Sequence, residues 1–148
     1  DYFCDIHHRA WMGIARILCD CGLFSGSLEE SLGKQVPSVF FPHGLGHPLG
    51  LQVHDVGAHL KNQRGESLAK DDQHPHLRML RKIQANAVFT IEPGLYFIPF
   101  LLAEASAKGI SLCPKIIKDC LPFCGIRIED NIYLSEESKV VNLTQALA

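Results

Sequence analysis

Between residues 6 and 21 the apolar positions fall at Ile6, Ala10, Ile14 and Leu18, one every four, and Trp11, Ala15 and Ile17 widen the same face. That spacing predicts an amphipathic helix, and Gly22 is a natural stop. Ser27-Leu28-Glu29-Glu30 has the capping-box pattern and predicts a short second helix that Gly33 ends. From 34 to 58, β-branched and aromatic residues mix with Pro and Gly, which predicts strand and loop. Residues 60–82 are polar and charged, with Gly65, Asp71, Asp72 and Pro75, and are expected to form a long surface excursion. Val88–Ile91 and Leu95–Ile98 are strand-like, and the Pro93-Gly94 step between them suits a type II turn. Pro99 is expected to end the second strand, since it cannot donate to a ladder. Leu101–Lys108 reads as helix ended by Gly109, and Ile116–Leu121 as a further helical turn or two. Gly125–Glu129 and Asn131–Leu134 read as short strands around Asp130. No internal repeat or low-complexity tract interrupts this pattern.

Composition narrows the class. The 148 residues are 47% apolar and 20% charged, with a mean hydropathy of +0.07, which suits one ordinary domain and rules out a disordered tail or a disulfide miniprotein. A net charge of -2 supplies no positive excess to drive phosphate binding, so nucleic acid is not an expected partner. The longest apolar run, Leu95–Leu102, is broken by Pro99 and too short to span a bilayer. No secretory leader is expected, because Asp1 and Asp5 stand where a basic region should be. The six cysteines contain no C-x-x-C pair, so they are expected to be reduced cytosolic thiols rather than a disulfide frame.

Candidate chemistry concentrates in Phe40–Asp55, where His43, His47 and His54 alternate with Gly44, Gly46 and Gly50. The glycines disfavour the helix of an H-E-x-x-H zinc site. In an extended chain His43 and His47 point to one side. Three histidines spaced by glycines favour a site over three unrelated structural residues. Glu92, between Thr90-Ile91 and Pro93-Gly94, is expected to be paired, ligated or exposed at a strand end. Glu129 shares a strand face with Arg127, either as a solvated ion pair or, with His47 and Glu92, as a ligand of a divalent cation. Arg78, Arg81 and Lys82 form a small basic cluster, solvated by default and otherwise suited to gripping a carboxylate. His7 and His8 cannot share a helix face, so one is expected to be exposed. His74 and His76 are expected at the surface.

Taken in order, Phe41-Pro42-His43-Gly44-Leu45-Gly46-His47-Pro48-Leu49-Gly50-Leu51-Gln52-Val53-His54-Asp55-Val56-Gly57, then Thr90-Ile91-Glu92-Pro93-Gly94-Leu95-Tyr96-Phe97, then Gly125-Ile126-Arg127-Ile128-Glu129-Asp130-Asn131 closely resemble three blocks of the bacterial prolidases. These Xaa-Pro dipeptidases are metallopeptidases of the pita-bread (creatinase/aminopeptidase-like) fold. The resemblance runs along essentially the whole chain. It implies an α+β architecture, a curved antiparallel sheet with flanking helices, and it implies that residues 1–148 are the C-terminal part of a pita-bread catalytic domain.

The resemblance also implies roles. His47, Glu92 and Glu129 match the metal ligands, with Glu129 bridging two ions. His43 and His54 match histidines that line the substrate pocket and stabilise the tetrahedral intermediate. Arg78 matches an arginine that holds the dipeptide carboxylate, and Arg127 one beside the bridging glutamate. The cofactor implied is two Mn2+ ions, with Co2+ or Zn2+ competent. The reaction implied is metal-assisted hydrolysis of Xaa-Pro dipeptides by a cytoplasmic homodimer without membrane attachment, with Glu92 shuttling a proton. An aminopeptidase P acting on longer peptides, or a non-catalytic pita-bread module, are the alternatives.

Prolidases are roughly three times this length and draw two Asp ligands from strands before the first His block. This sequence has no matching pair, so the 148 residues alone are expected to be inactive and to carry exposed apolar surface and unpaired edges. Two local departures stand out. Ala85-Asn86 replaces a usual Pro-Gly, where Asn tolerates a left-handed turn. Cys124-Gly125 replaces a pair of glycines, where a side chain is strained if the backbone needs a positive φ.

Overall fold

The computed structural model describes residues 2–62, 64–70, 72 and 74–145. The sequence expectations for Asp71 therefore lie outside the described residues. The chain divides into two compact units, one of residues 1–8, 43–93 and 128–148, the other of residues 9–42 and 94–127. Helix α1, Phe3–Asp20, begins in the first and continues in the second.

The first unit is built on a three-stranded antiparallel sheet, β1 (Val88–Ile91), β4 (Asp130–Leu134) and β5 (Val140–Asn142), in the order β1-β4-β5. Val88 pairs with Tyr133 and Ile91 with Asp130. The free side of β1 is taken by residues 45–49, which run antiparallel to it through Glu92 N–H to Leu45 O (2.7 Å), Thr90 N–H to His47 O (2.9 Å) and Leu49 N–H to Val88 O (2.9 Å). Its core is Phe3, Leu45, Ala58, Leu77, Met79, Leu80 and Phe89. Phe3 meets Phe89 edge to face at 5.7 Å. The stretch read as a surface excursion thus buries its last part. Leu77, Met79 and Leu80 enter the core because their apolar area outweighs the polar context around them. His74, expected at the surface, is half-buried with its ring 4.3 Å from that of His7.

The second unit holds the rest of α1, then α2 (Leu28–Gly33), α3 (Val36–Phe40), β2 (Gly94–Tyr96), α4 (Pro99–Ala107), α5 (Pro114–Cys120), a single 3-10 turn (Leu121–Phe123) and β3 (Gly125–Arg127). Along this part of α1 the buried residues are Trp11, Ile14, Ala15 and Leu18, while Ile17 is exposed, so the apolar stripe is narrower than its sequence suggests. The capping box forms as read: Ser27 Oγ accepts from Glu30 N–H at 3.1 Å and Glu30 Oε2 from Ser27 N–H at 3.0 Å. The expected strand after Gly33 is instead α3. Gln35 takes a left-handed turn (φ 52), Pro37 sits in the first helical turn, and Val36, Pro37 and Phe40 face inward.

β1 and β2 do not form a hairpin with each other. β2 pairs with β3, Gly94 opposite Arg127 and Tyr96 opposite Gly125, and Gly94 does not have the positive φ that a type II turn needs. Pro99 opens α4 rather than merely ending a strand. Large apolar residues stand exposed in both units, Leu51, Val53 and Val56 in the first and Phe100 and Phe123 in the second. Among the described residues no helix is long and apolar enough to cross a membrane.

Candidate metal centre

The candidate site lies in the first unit, on three adjacent runs of chain. Gly46 lets the first run lie against β1, because a Cβ there would stand 1.9 Å from Thr90 O. This places His47 beside Thr90, and both are buried, at 4% and 1% exposure. Two residues along β1 from Thr90, on the same face, is Glu92, 6% exposed.

His47 Nε2 and Glu92 Oε1 are 3.4 Å apart. His47 Nδ1 lies 3.0 Å from Pro48 O. A carbonyl only accepts, so Nδ1 carries a proton, and Nε2 is the ring nitrogen turned toward the carboxylate. A proton on Nε2 joins the two side chains by a hydrogen bond, and a divalent cation can take that place. His54 adds a second imidazole, exposed but with its ring 4.2 Å from that of His47 and at 78° to it.

Glu129 enters through strand register. Ile91 is opposite Asp130, so one further antiparallel step sets Glu92 opposite Glu129, and Ile128 N–H to Pro93 O at 3.2 Å continues the pairing beyond it. Like charges set opposite in a ladder repel, and a divalent cation removes that repulsion. Glu129 is exposed. Among the described residues no group of three or more His, Cys, Asp or Glu side chains is arranged to hold a metal ion. What this chain gathers is the buried pair His47 and Glu92 with His54 against it, and Glu129 across the ladder. The two donors brought together, one imidazole nitrogen and one carboxylate, are of the types a borderline divalent ion takes.

The remaining residues singled out in the sequence lie as follows. His43 is half-buried, its Nδ1 donating to Gly44 O at 2.8 Å. Arg78 is exposed between the buried Leu77 and Met79. Arg127 is exposed on β3.

Two residues that support the site went unnoticed in the sequence. Thr90 Oγ1 accepts from His47 N–H and lies 3.0 Å from Glu92 Oε1. His7, 2% exposed on α1, accepts Leu45 N–H on its Nδ1 at 3.2 Å, and Leu45 O accepts from Glu92 N–H. The signal for Thr90 was a hydroxyl two residues before a carboxylate in a strand, hence on its face. For His7 it was the helical spacing Phe3, His7, Trp11, which puts the imidazole in an apolar stripe.

Residues 2–136 match the family model of metallopeptidase family M24. The chain belongs to that family. It is 43% identical over 144 residues to an Xaa-Pro dipeptidase of Shewanella frigidimarina, a match that covers 97% of this chain and 33% of the relative. Among solved structures it is similar to aminopeptidase P from E. coli with the inhibitor Pro-Leu, at TM-score 0.67 and 26% identity over 99% of this chain and 26% of that one. The zinc-substituted E. coli enzyme in complex with product matches at TM-score 0.67 and 27% identity, with 99% and 26% covered. The M24 chain described here therefore has the pita-bread architecture, antiparallel sheets with flanking helices, and spans about a third of the length of the Xaa-Pro dipeptidase it matches.

Proposed function

We propose that the 148 residues are the C-terminal part of a pita-bread catalytic domain, and that the whole protein hydrolyses Xaa-Pro dipeptides. The observation that carries this is the buried His47–Glu92 pair, Nε2 facing Oε1 at 3.4 Å, with Glu129 set opposite Glu92, in a chain whose curated relatives are named Xaa-Pro dipeptidases.

His47, Glu92 and Glu129 hold divalent metal, two Mn2+ in the whole protein, with Co2+ or Zn2+ as substitutes. When bound, the ions supply Lewis acidity and a water that is nucleophilic near neutral pH. The protein's own residues do the rest. Glu92, fixed at Oε1, takes a proton and returns it to the leaving amine. His54 and His43 donate hydrogen bonds to the developing oxyanion. Arg78 grips the free carboxylate in bidentate fashion, which selects dipeptides over longer chains, and Arg127 is a second substrate-binding group. The two aspartates that complete the family's metal site have no counterpart in this sequence, so the 148 residues alone do not turn over substrate. All six cysteines are free thiols, which supports a cytoplasmic protein, and the whole protein is a homodimer.

In the full-length protein, Glu129→Gln is expected to abolish Xaa-Pro hydrolysis, with circular dichroism unchanged. Unchanged turnover overturns the ligand assignment. The aminopeptidase P structures favour one second reading, an enzyme for longer peptides with a penultimate proline. Rates on a dipeptide against a tripeptide of the same first two residues decide between the two.

A further inference from the structure

We infer that Thr90 is a positioning residue of the candidate metal centre, and that its hydroxyl couples the backbone of His47 to the carboxylate of Glu92; the inference rests on the metal-site reading above. A hydroxyl offers one proton and two lone pairs. His47 N–H donates to Thr90 Oγ1 at 3.0 Å. The hydroxyl proton then has two acceptors within reach, Glu92 Oε1 at 3.0 Å and His47 O at 3.5 Å. The carbonyl is farther and already accepts from Thr90 N–H at 2.9 Å. The carboxylate is closer and makes the stronger, charge-assisted bond. The result is a directed chain, His47 N–H to Thr90 O–H to Glu92 Oε1, within a residue that is 1% exposed.

Two consequences follow for the site. Glu92 Oε1 is the oxygen that faces His47 Nε2, so the bond from Thr90 holds in place the atom that a cation between the two side chains would meet. The same hydroxyl ties the strand segment carrying His47 to the residue that orients Glu92, so the two candidate ligands are set by one group. An exposed strand threonine bonds to water, whereas the buried hydroxyl of Thr90 takes its partners within the protein. Valine has threonine's shape and the β-propensity without the hydroxyl, and serine has the hydroxyl without the methyl.

The experiment compares the 148-residue chain with its Thr90→Val and Thr90→Ser variants. Mn2+ is titrated by electron paramagnetic resonance, and Glu92 rotamers are read from NMR side-chain couplings in the metal-free chains. Thr90→Val is expected to bind Mn2+ about tenfold more weakly, the scale on which outer-shell partners act, and to average the Glu92 rotamer. Thr90→Ser is expected to retain both the affinity and a single rotamer. Equal Mn2+ affinity in the wild type and Thr90→Val overturns the proposal, as does a loss in Thr90→Ser as large as in Thr90→Val. If the wild type binds no Mn2+, the metal reading fails for this chain, and the metal-free couplings decide the role of Thr90. A fixed Glu92 in the wild type and Thr90→Ser but not in Thr90→Val supports it, and the same averaging in the wild type and Thr90→Val overturns it. If Thr90→Val does not fold, a single Glu92 rotamer shared by the wild type and Thr90→Ser supports the chain of bonds, and averaging in the wild type overturns it.

Discussion

The second unit buries Trp11, Ile14, Ala15, Leu18, Leu23, Phe24, Val36, Phe40, Phe41, Ala105 and Ile110, and among polar side chains only Ser31. Among its described residues the first unit buries fewer large apolar residues and four polar ones, His7, His47, Thr90 and Glu92. The two cohere for different reasons. One is held by area removed from water and close packing. The other carries polar groups whose burial costs stability unless each is hydrogen-bonded, and a directed set of bonds runs among them from His7, through the 45–49 segment, to Glu92. That buried polar network is the feature on which the proposed function of this unit rests.

Truncation in the apolar unit gives the largest expected loss. Phe40 is fully buried and stacks edge to face on Phe97 at 5.6 Å and 69°. Phe40→Ala is expected to cost about 3–5 kcal/mol from lost transfer energy and the cavity left behind, read as a lowered urea midpoint. A loss below about 1 kcal/mol breaks the contrast, because the core around α3 then repacks freely.

In the polar unit the corresponding change acts through one bond. His7→Ala removes the acceptor of Leu45 N–H and leaves that buried amide unsatisfied, at a cost of about 1–3 kcal/mol. The discriminating measurement is amide exchange. Leu45 and Glu92 are expected to exchange faster in His7→Ala while Phe24 and Cys113 in the second unit, bonded to Leu18 O and Leu23 O, keep their protection. Uniform acceleration in both units means that His7 contributes only to global stability.

What the sequence revealed follows the same division. Periodicity located α1, the α2 cap, α4 and the strands at 88–91 and 131–134, because these are set by local spacing and by caps within four residues. It misplaced α3, whose β-branched Val36 and Val39 read as strand until the left-handed turn at Gln35 and the packing of Phe40 decide otherwise. It also placed a type II turn at Pro93-Gly94 between β1 and β2, whereas each strand takes a partner from 29 or more residues downstream. At the site, motif order singled out His47, Glu92 and Glu129 as candidates but not the groups that position them. Thr90 and His7 act through bonds between residues 38 and 43 apart in sequence, and no local pattern encodes those. The left-handed turn at Asn86 (φ 63) was legible from residue type alone.

The smallest expected effect is a gain, and it tests whether the apolar unit is optimised throughout. Cys124 has φ 61 and ψ -44, a conformation outside the left-handed helical well that costs a side-chain-bearing residue about 1–3 kcal/mol. It is held there from both sides, by Cys124 N–H to Leu121 O at 3.1 Å and Phe97 N–H to Cys124 O at 2.7 Å. The neighbouring glycine cannot relieve it. A Cβ on Gly125 would stand 2.6 Å from Leu95 O, so the close approach of β3 to β2 requires glycine at 125, while the torsion favours glycine at 124. Cys124→Gly removes the strain and adds back about 0.5–1 kcal/mol of unfolded-chain entropy. A net stabilisation of about 1 kcal/mol is therefore expected, with a raised urea midpoint. Cys124→Ala, which keeps a Cβ and removes only the thiol, is expected to leave the midpoint where it is. A gain in the alanine variant equal to that in the glycine variant would place the cost in the exposed thiol rather than in the backbone.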